Sequence, residues 1–600
     1  MDANVPGVST SALPSGDSPY RAPVDEYMVA LEVAGLTELL KLDCYRDIDT
    51  AAVRMVLEEF GRLASQVIAP TNRTGDIEGA TYHAEDASVT LPASLRQAYA
   101  RYVEGGWGAL PFSPAFGGGG FPGSVGLAMQ EIFASANLAL SLNPVLTQGA
   151  IEALLQWGSD EQKAAFLPRL LTGEWTGTMN LTEPDAGSDL GAIRTAAHFD
   201  GEQWFVSGTK IFITWGENDL SENIIHLVLA RTPDAPAGTK GLSLFAVPKF
   251  IESSGESSPL RNALRCLRVE EKLGIHASPT CVMAFDGARG QLVGPLHGGM
   301  QVMFTMMNAA RLSIGSEGPG VGERVLQAAT AYARDRRQGR AETASAPVPS
   351  AIIEHPDVQR MLLRISTTTK ASRMLLLTVK SYEDQARYAS SDADRERGRN
   401  FADLLTPVAK AWATDIGFGA ASEGVQVLGG VGYVEEFGMA QYLRDARIGP
   451  IYEGTNGIQA LDLILRKIPR DQGRWLRELT DQMRAVIPEG YEPSHALAPS
   501  FRGLREAIDQ VGAASEWMLE QLEQSRIDAV AGATPYLQLL AVTAGAYLMT
   551  RRALSTWSGD EAARQRAVGE CNFFVAHVLS SAKGFAEAVT FGVARDAKIS

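Results

Sequence analysis

Apolar positions change their spacing along this chain, and the changes mark its parts. In "VRMVLEEFGRLASQVI", Val53, Val56, Leu57, Phe60 and Leu63 share one face of a helix. Helical texture runs from about residue 25 to 162. It is broken by "GGWGALPFSPAFGGGGFPG", Gly105 to Gly123. Those glycines lack the GxxxxGK[ST] frame of a phosphate loop, so the stretch reads as a connection. After "FLPRLLTGEW" the period shortens. In "RTAAHFDGEQWFVSGTKIFITW", Asp200-Gly201 sits between β-rich runs and predicts a hairpin. "IIHLVLAR", "GLSLFAVP" and "TCVMAFDGARGQLVG" predict further strands, so Trp175 to Gly294 reads as a β domain. Ser253 to Arg268 reads as a polar excursion between strands.

Helical spacing then returns. Met300, Met303, Met306 and Met307 form a core-filling stripe at the start of a long helix. Long helices follow near 355–387 and 399–428. A shorter one follows "PIYEGTNG", with Ile458, Leu461, Leu465 and Ile468 at helical spacing and Thr455 or Asn456 as its cap. "IPEGYEPSHALAPS", Ile487 to Ser500, is a linker, and the remainder is again helical. The expected fold is mainly α with a central β domain. A tail (1–24) precedes a helical domain (25–165), a β domain (166–298), a four-helix bundle (299–470) and an additional helical domain (471–600). No βαβ alternation appears, so a Rossmann fold is not expected. The "GGVG" of Gly429 to Gly432 is then not a dinucleotide fingerprint.

Composition narrows the function. Six hundred residues exceed one core. A net charge of −16 argues against a nucleic-acid binder, which usually presents a basic patch. The N-terminal "MDANVPGVSTSALPSGDSPY" has neither the basic nor the apolar region of a signal peptide. No run of about 18 apolar residues stands out. A cytoplasmic protein without a membrane span is therefore expected. Cys44, Cys266, Cys281 and Cys571 form no CxxC pair and the histidines no HExxH, so no metal is expected.

Four patches carry chemistry: "TMNLTEPDAGSDLGA" (Thr178 to Ala192), "GTKIFITWGEN" (Gly208 to Asn218), "ARDRRQGR" with Arg336 and Gln338, and "GVQVLGGVGY…RDARIGPIYEGTNGIQ" (Gly424 to Gln459). In the last, Glu453 sits between Ile451-Tyr452 and a turn that opens a helix. One reading is a carboxylate complementing the helix dipole. Another is a base whose pKa an apolar wall raises. Taken in order, the four patches resemble the acyl-CoA dehydrogenase family of flavoproteins, over roughly residues 55 to 470. "YRAPVDEYMVALE", "EEKLGIHASPTCVMAFDGARGQLVG", "MFTMMNAARL" and the length resemble a long branch with an extra C-terminal helical domain. That branch includes the 3-methylthiopropanoyl-CoA dehydrogenases.

The resemblance implies an FAD-dependent acyl-CoA dehydrogenase. Its substrate would be 3-methylthiopropanoyl-CoA or a fatty acyl-CoA, and its acceptor electron-transfer flavoprotein. It implies that Met179, Leu181 and Thr182 face the isoalloxazine and that Ser188 meets FAD or CoA. Phe212, where the family often has Trp, and Thr214 share a strand face beside the flavin. Arg336 and Gln338 serve the pyrophosphate and adenine, although Gly339 replaces the usual aromatic. Gln426 to Gly430 reach FAD from a neighbouring subunit, implying a homodimer or larger. Thr455 and Gly457 complete the cofactor set, and Asn308, Arg311 and Gly454 join Ser188 on the substrate side. Some relatives carry their base just before this arginine. Here that residue is Ala310, so Glu453 is the expected base. It would take the α-proton while the β-hydride goes to flavin N5, giving a trans-2-enoyl-CoA. Two alternatives are an acyl-CoA oxidase, marked by hydrogen peroxide, and a flavin protein that binds nucleic acid through a basic C-terminal surface.

Overall fold

The computed structural model describes residues 19–251, 259–342, 348–555 and 561–591. The N-terminal third is helical, as its periodicity predicts. Asp49 caps helix Thr50–Leu63, which buries Val53, Leu57 and Phe60. A short hairpin, Thr81–His83 with Ser88–Thr90, was not foreseen. Three residues per strand are too few for alternation to register. Tyr82 Oη ties the hairpin to the β domain by donating to the Cys266 carbonyl at 3.2 Å.

The helix Leu138–Trp157 departs from the sequence expectation. By length and composition it could cross a membrane, with a mean hydropathy of 1.3, yet 83% of that apolar window is buried inside the fold. Its apolar surface is covered on more than one side, and its polar positions Gln148, Glu152 and Gln156 keep to one narrow stripe. Gly177 lets a strand approach it: a Cβ there would lie 2.4 Å from Ala150 Cβ. On another side, Gly149 meets Met306 of the long helix Gly299–Asp335.

Seven strands form the main sheet: β1 (Trp175–Asn180), β2 (Ala196–Phe199), β3 (Trp204–Thr214), β4 (Asn223–Arg231), β5 (Leu242–Pro248), β6 (Leu264–Val269) and β7 (Thr280–Val293). Their order is β6-β7-β3-β2-β4-β1. Because β5 pairs with both β7 and β4, five of them close on themselves. β1 runs parallel to β4, from Trp175↔Asn223 to Asn180↔Val228. β6 corrects the sequence reading, because it lies within the supposed polar excursion. It buries Leu264 and Cys266 while Arg265 and Arg268 face solvent. Charge on a strand paired on one side only reads as loop. Leu260–Arg261 also pairs, with Phe250–Ile251. Residues 253–258 of the excursion lie outside the described residues.

The helices Gly299–Asp335, Pro356–Tyr388 and Asp392–Leu428 pack side by side as the bundle. Arg373, buried on the second, donates from Nε to Glu131 Oε1 (2.7 Å) and from Nη2 to Glu323 Oε2 (3.0 Å). Its guanidinium lies 4.4 Å from the Tyr27 ring centroid. One cation thus joins the N-terminal helices to two bundle helices. Among the C-terminal helices, Ala533–Ser555 is largely buried and packs on the bundle, Gly545 against Trp412.

The helix after the glutamate turn corrects a second expectation. Asn456–Asp462 continues as a π turn, Leu463–Lys467. The Ile468 N–H bonds the Leu463 carbonyl at 3.1 Å, an i→i+5 step that rotates the buried face. Leu463, Ile464 and Ile468 are core, Leu461 and Leu465 are half-buried, and Ile458 is exposed.

Candidate active site

Glu453 has φ 56° and Gly454 φ 86°. Left-handed backbone at a glutamate costs about 1–3 kcal/mol and persists only where its surroundings enforce it. The enforcement comes from two bundle helices. Lys410 Nζ donates to the carbonyls of Gly449 (2.9 Å) and Gly454 (3.1 Å) and to Asn456 Oδ1 (3.1 Å). Tyr452 Oη donates to the Glu317 carboxylate, 2.6 and 2.5 Å from its two oxygens. Asn456 Nδ2 donates to the Ala411 carbonyl (3.0 Å) and Asp415 Oδ1 (2.8 Å). Thr455 Oγ1 accepts the Ile458 N–H at 3.2 Å, the expected cap.

The charges around the turn are coupled. Burial raises the carboxyl of half-buried Glu453, and the positive charges of Arg311 and Lys410 oppose that rise. Burial pushes Glu317 up to about 8 against the Tyr452 hydrogen bond, and pulls Lys410 down to about 8 against the nearby carboxylates. Arg311 is buried; its Nη1 donates to Asn308 Oδ1 at 3.2 Å and lies 3.8 Å from Asp462 Oδ2. Its Nη2 is 3.8 Å from where a Gly454 Cβ would stand. Asn308, Arg311, Glu453, Gly454 and Thr455 are therefore brought together, with Gly457 exposed in the next turn. Ile451 departs from the expected apolar wall: it is 46% exposed, and Tyr452 is the half-buried partner.

Glu317 has a consequence for stability. Its folded pKa stands above the ordinary 4.5, so the folded state holds a proton that the unfolded chain releases. This contribution to stability is full below about 4.5 and is lost as pH rises toward about 8. Glu317→Gln should remove that slope. Urea midpoints of the variant should vary less than wild type between about pH 5 and 8. Equal slopes would mean that the carboxyl titrates normally.

A second group forms where β1 and β3 end. Thr178 Oγ1 donates to the Thr214 carbonyl at 2.7 Å. Buried Lys210 donates to the Leu181 carbonyl (2.9 Å) and to Glu183 Oε1 (2.8 Å), and the Ile211 N–H to the Thr182 carbonyl (2.9 Å). Met179 is buried, Leu181 and Thr182 half-buried, and Ser188 exposed. Phe212 corrects the strand-face expectation. Lys210 pairs with Met283 and Ile213 with Cys281, so Ile211 and Phe212 together oppose Val282. This bulge gives Phe212 φ 57° and leaves it 60% exposed, interrupting the alternation just before Thr214.

Arg336 and Gln338 are exposed beyond the first bundle helix. Arg336 Nη2 donates to Gln338 Oε1 at 3.3 Å, and Gln338 is held through its backbone by Ser350 and His355. Gln426 and Gly430 are exposed at the end of the third. Among the described residues, no hydrogen bond joins these four to either group. The donor set suits a flavin nucleotide: apolar Met179, Leu181 and Phe212 for a ring, hydroxyls of Thr182 and Ser188, and Arg336 for a phosphate. Sequence reasoning passed over Glu317, Lys410 and Lys210. Each is a lone charge in apolar or small-residue text ("SIGSEGPGVG", "PVAKAWA", "GTKIFIT"), and that was the available signal.

The fold is that of solved acyl-CoA dehydrogenases. A Caenorhabditis elegans structure, ACDH-11 in complex with C11-CoA, superposes with a TM-score of 0.77 at 20% identity, covering 95% of this chain and 93% of that one. A Bacillus anthracis acyl-CoA dehydrogenase complexed with FAD superposes with a TM-score of 0.71 at 18% identity, covering 92% and 90%. Family models match in order: acyl-CoA dehydrogenase N-terminal domain (50–174), middle domain (178–288) and C-terminal domain (297–468), then acetyl-CoA dehydrogenase C-terminal like (479–595). The 3-methylmercaptopropionyl-CoA dehydrogenase of Ruegeria pomeroyi is 43% identical over 93% of this chain and 96% of its own. The broad-specificity linear acyl-CoA dehydrogenase FadE5 of Mycobacterium tuberculosis is 35% identical over 79% of each. The chain belongs to the acyl-CoA dehydrogenase family of FAD-dependent oxidoreductases.

Proposed function

We propose that this enzyme oxidises a short acyl-CoA, 3-methylthiopropanoyl-CoA in the first place, to its trans-2-enoyl-CoA, with Glu453 as the base. The observation that carries the assignment is a carboxylate of raised pKa on a turn clamped from two helices. Partial removal from water makes Glu453 a stronger base than a hydrated carboxylate. Among the described residues, no hydrogen bond takes up the Glu453 backbone N–H. It is available to the thioester carbonyl as enolate charge develops. Arg311 compensates the carboxylate before the proton moves. When bound, FAD supplies the hydride acceptor. Met179, Leu181, Thr182, Phe212 and Thr214 hold its ring, and Ser188 meets cofactor or substrate. Arg336 and Gln338, with Gln426, Gly430, Thr455 and Gly457, hold its nucleotide side across a subunit contact of a homodimer or larger assembly. Gly454 and Asn308 line the thioester. Electron-transfer flavoprotein is the acceptor and the cytoplasm the compartment. The four matched stretches support the domain division read from the sequence.

The substrate rests on the Ruegeria relative, similar along nearly the whole of both chains. A broader range of linear acyl-CoAs is the second reading, favoured by the relative named for that range. A panel of acyl-CoA thioesters, followed by bleaching of the flavin band without oxygen, separates them. The fastest bleaching is expected with 3-methylthiopropanoyl-CoA. Similar rates across linear chains would favour the second reading. No bleaching by any thioester would overturn both, and stoichiometric hydrogen peroxide in air would replace dehydrogenase by oxidase.

A further inference from the structure

The additional C-terminal helices reach the back of the glutamate turn. Helix Ala533–Ser555 packs on helix Asn456–Asp462 and on the bundle. From it, Gln538 Nε2 donates to Asp415 Oδ2 at 2.9 Å. Asp415 Oδ1 accepts from Asn456 Nδ2 at 2.8 Å, and Asn456 Oδ1 accepts from Lys410 Nζ at 3.1 Å. Lys410 in turn holds the Gly454 carbonyl beside Glu453. A line of hydrogen bonds therefore runs from the added domain to the turn.

We propose that Gln538 is a positioning residue for the reaction: by anchoring Asp415 it orients Asn456 and Lys410, which hold Glu453 in its left-handed conformation. This rests on the reading of Glu453 as the base. Asp415 is partly buried, and each of its two oxygens takes an amide donor, one from the turn and one from the added domain. Without the outer donor, the carboxylate can rotate toward water and loosen its hold on Asn456, leaving Asn456 Nδ2 to the Ala411 carbonyl and Thr414 Oγ1. The turn then samples conformations in which the Glu453 carboxylate points away from the α-carbon. Gln538 reaches the reaction only through these residues, so its loss acts mainly on the chemical step; Gly454, Thr455 and Gly457 of the same turn shift with it, while the flavin contacts of the β domain stay in place.

The test uses Gln538→Leu and Gln538→Glu in the full-length FAD-loaded enzyme. Gln538→Leu is expected to slow flavin reduction by the best acyl-CoA about tenfold, the scale of a lost hydrogen bond to a charged group, with distinctly smaller changes in KM and FAD content. Gln538→Glu can donate to Asp415 only when protonated. Its rate is expected near wild type at the acidic end of the working range and to fall as pH rises, where the two carboxylates repel. A purely structural role would move stability without this pH-dependent loss of rate. In the Glu453→Gln background, Gln538→Leu should add nothing to the slowing. A Gln538→Leu rate within twofold of wild type, a Gln538→Glu pH profile parallel to wild type, or full additivity with Glu453→Gln would each overturn the proposal. Should Gln538→Leu fail to fold, the Gln538→Glu profile decides. Failure of the base assignment is separate: it would appear as undiminished flavin reduction in Glu453→Gln alone.

Discussion

Glu453→Gln should slow reduction of the flavin by acyl-CoA at least about a hundredfold, since a positioned general base contributes about 10²–10⁴. The substitution nearly keeps side-chain shape and leaves the backbone N–H at that position. Flavin content and acyl-CoA binding should stay near wild type, because neither set of contacts is removed. Reduction by dithionite should be unchanged and serves as the control for an intact cofactor. Two neighbours should respond. Lys410 and Arg311 lose the carboxylate whose charge favours their protonated forms, so Lys410 should release its proton still more readily. Single-turnover bleaching by stopped flow measures the effect. A wild-type rate in the variant would reduce Glu453 to a charge complementing the helix end, and the base would have to be sought elsewhere.

The largest effect on folding is expected at Arg373. Its side chain is 1% exposed, and its two carboxylate partners are 2% and 9% exposed. Arg373→Leu keeps apolar bulk but strands Glu131 and Glu323 in the core without their cation. Breaking a buried pair from one side costs about 3–5 kcal/mol. Burial already pushes Glu131 up to about 7 against the charge of Arg373, and without that charge it would hold its proton to still higher pH. Above about 7 the folded variant then binds more protons than folded wild type, so the deficit is smallest below about 7 and grows as pH rises above it. Urea unfolding at about pH 5 and 8 measures both size and slope. Adding Glu131→Gln should recover part of the loss. A deficit below about 1 kcal/mol at both pH values would show that the core hydrates or repacks around the missing cation.

What could be read in advance divides along physical lines. The helices of the bundle were legible because each repeats its apolar face over many turns. Strand β6 was not, since its arginines mimic a loop. The face of the helix after Thr455 was misassigned because a π turn shifts the register by one residue, and apolar spacing carries no mark of that shift. At the turn, Glu453 was legible from its neighbours in the chain. Its supports were not. Tyr452 meets Glu317 across 135 residues of sequence, and Lys410 meets Gly454 across 44. No local pattern reports pairings at such separations. Lys210 is the same case in the β domain, its partner Leu181 lying 29 residues away. The bulge at Phe212 depends on pairing with β7, which forms only when the sheet closes.

The buried helix Leu138–Trp157 sets a condition on how the protein is made. Its cover against Met306 is translated well over a hundred residues after it. At roughly 5–20 residues per second, the ribosome leaves that helix without this cover for about 7–30 s. Throughout that interval an apolar segment as hydrophobic as a membrane span waits beside the exit tunnel. An apolar segment left without its cover in that way is aggregation-prone, and slower elongation between Trp157 and Met306 lengthens its exposure in proportion.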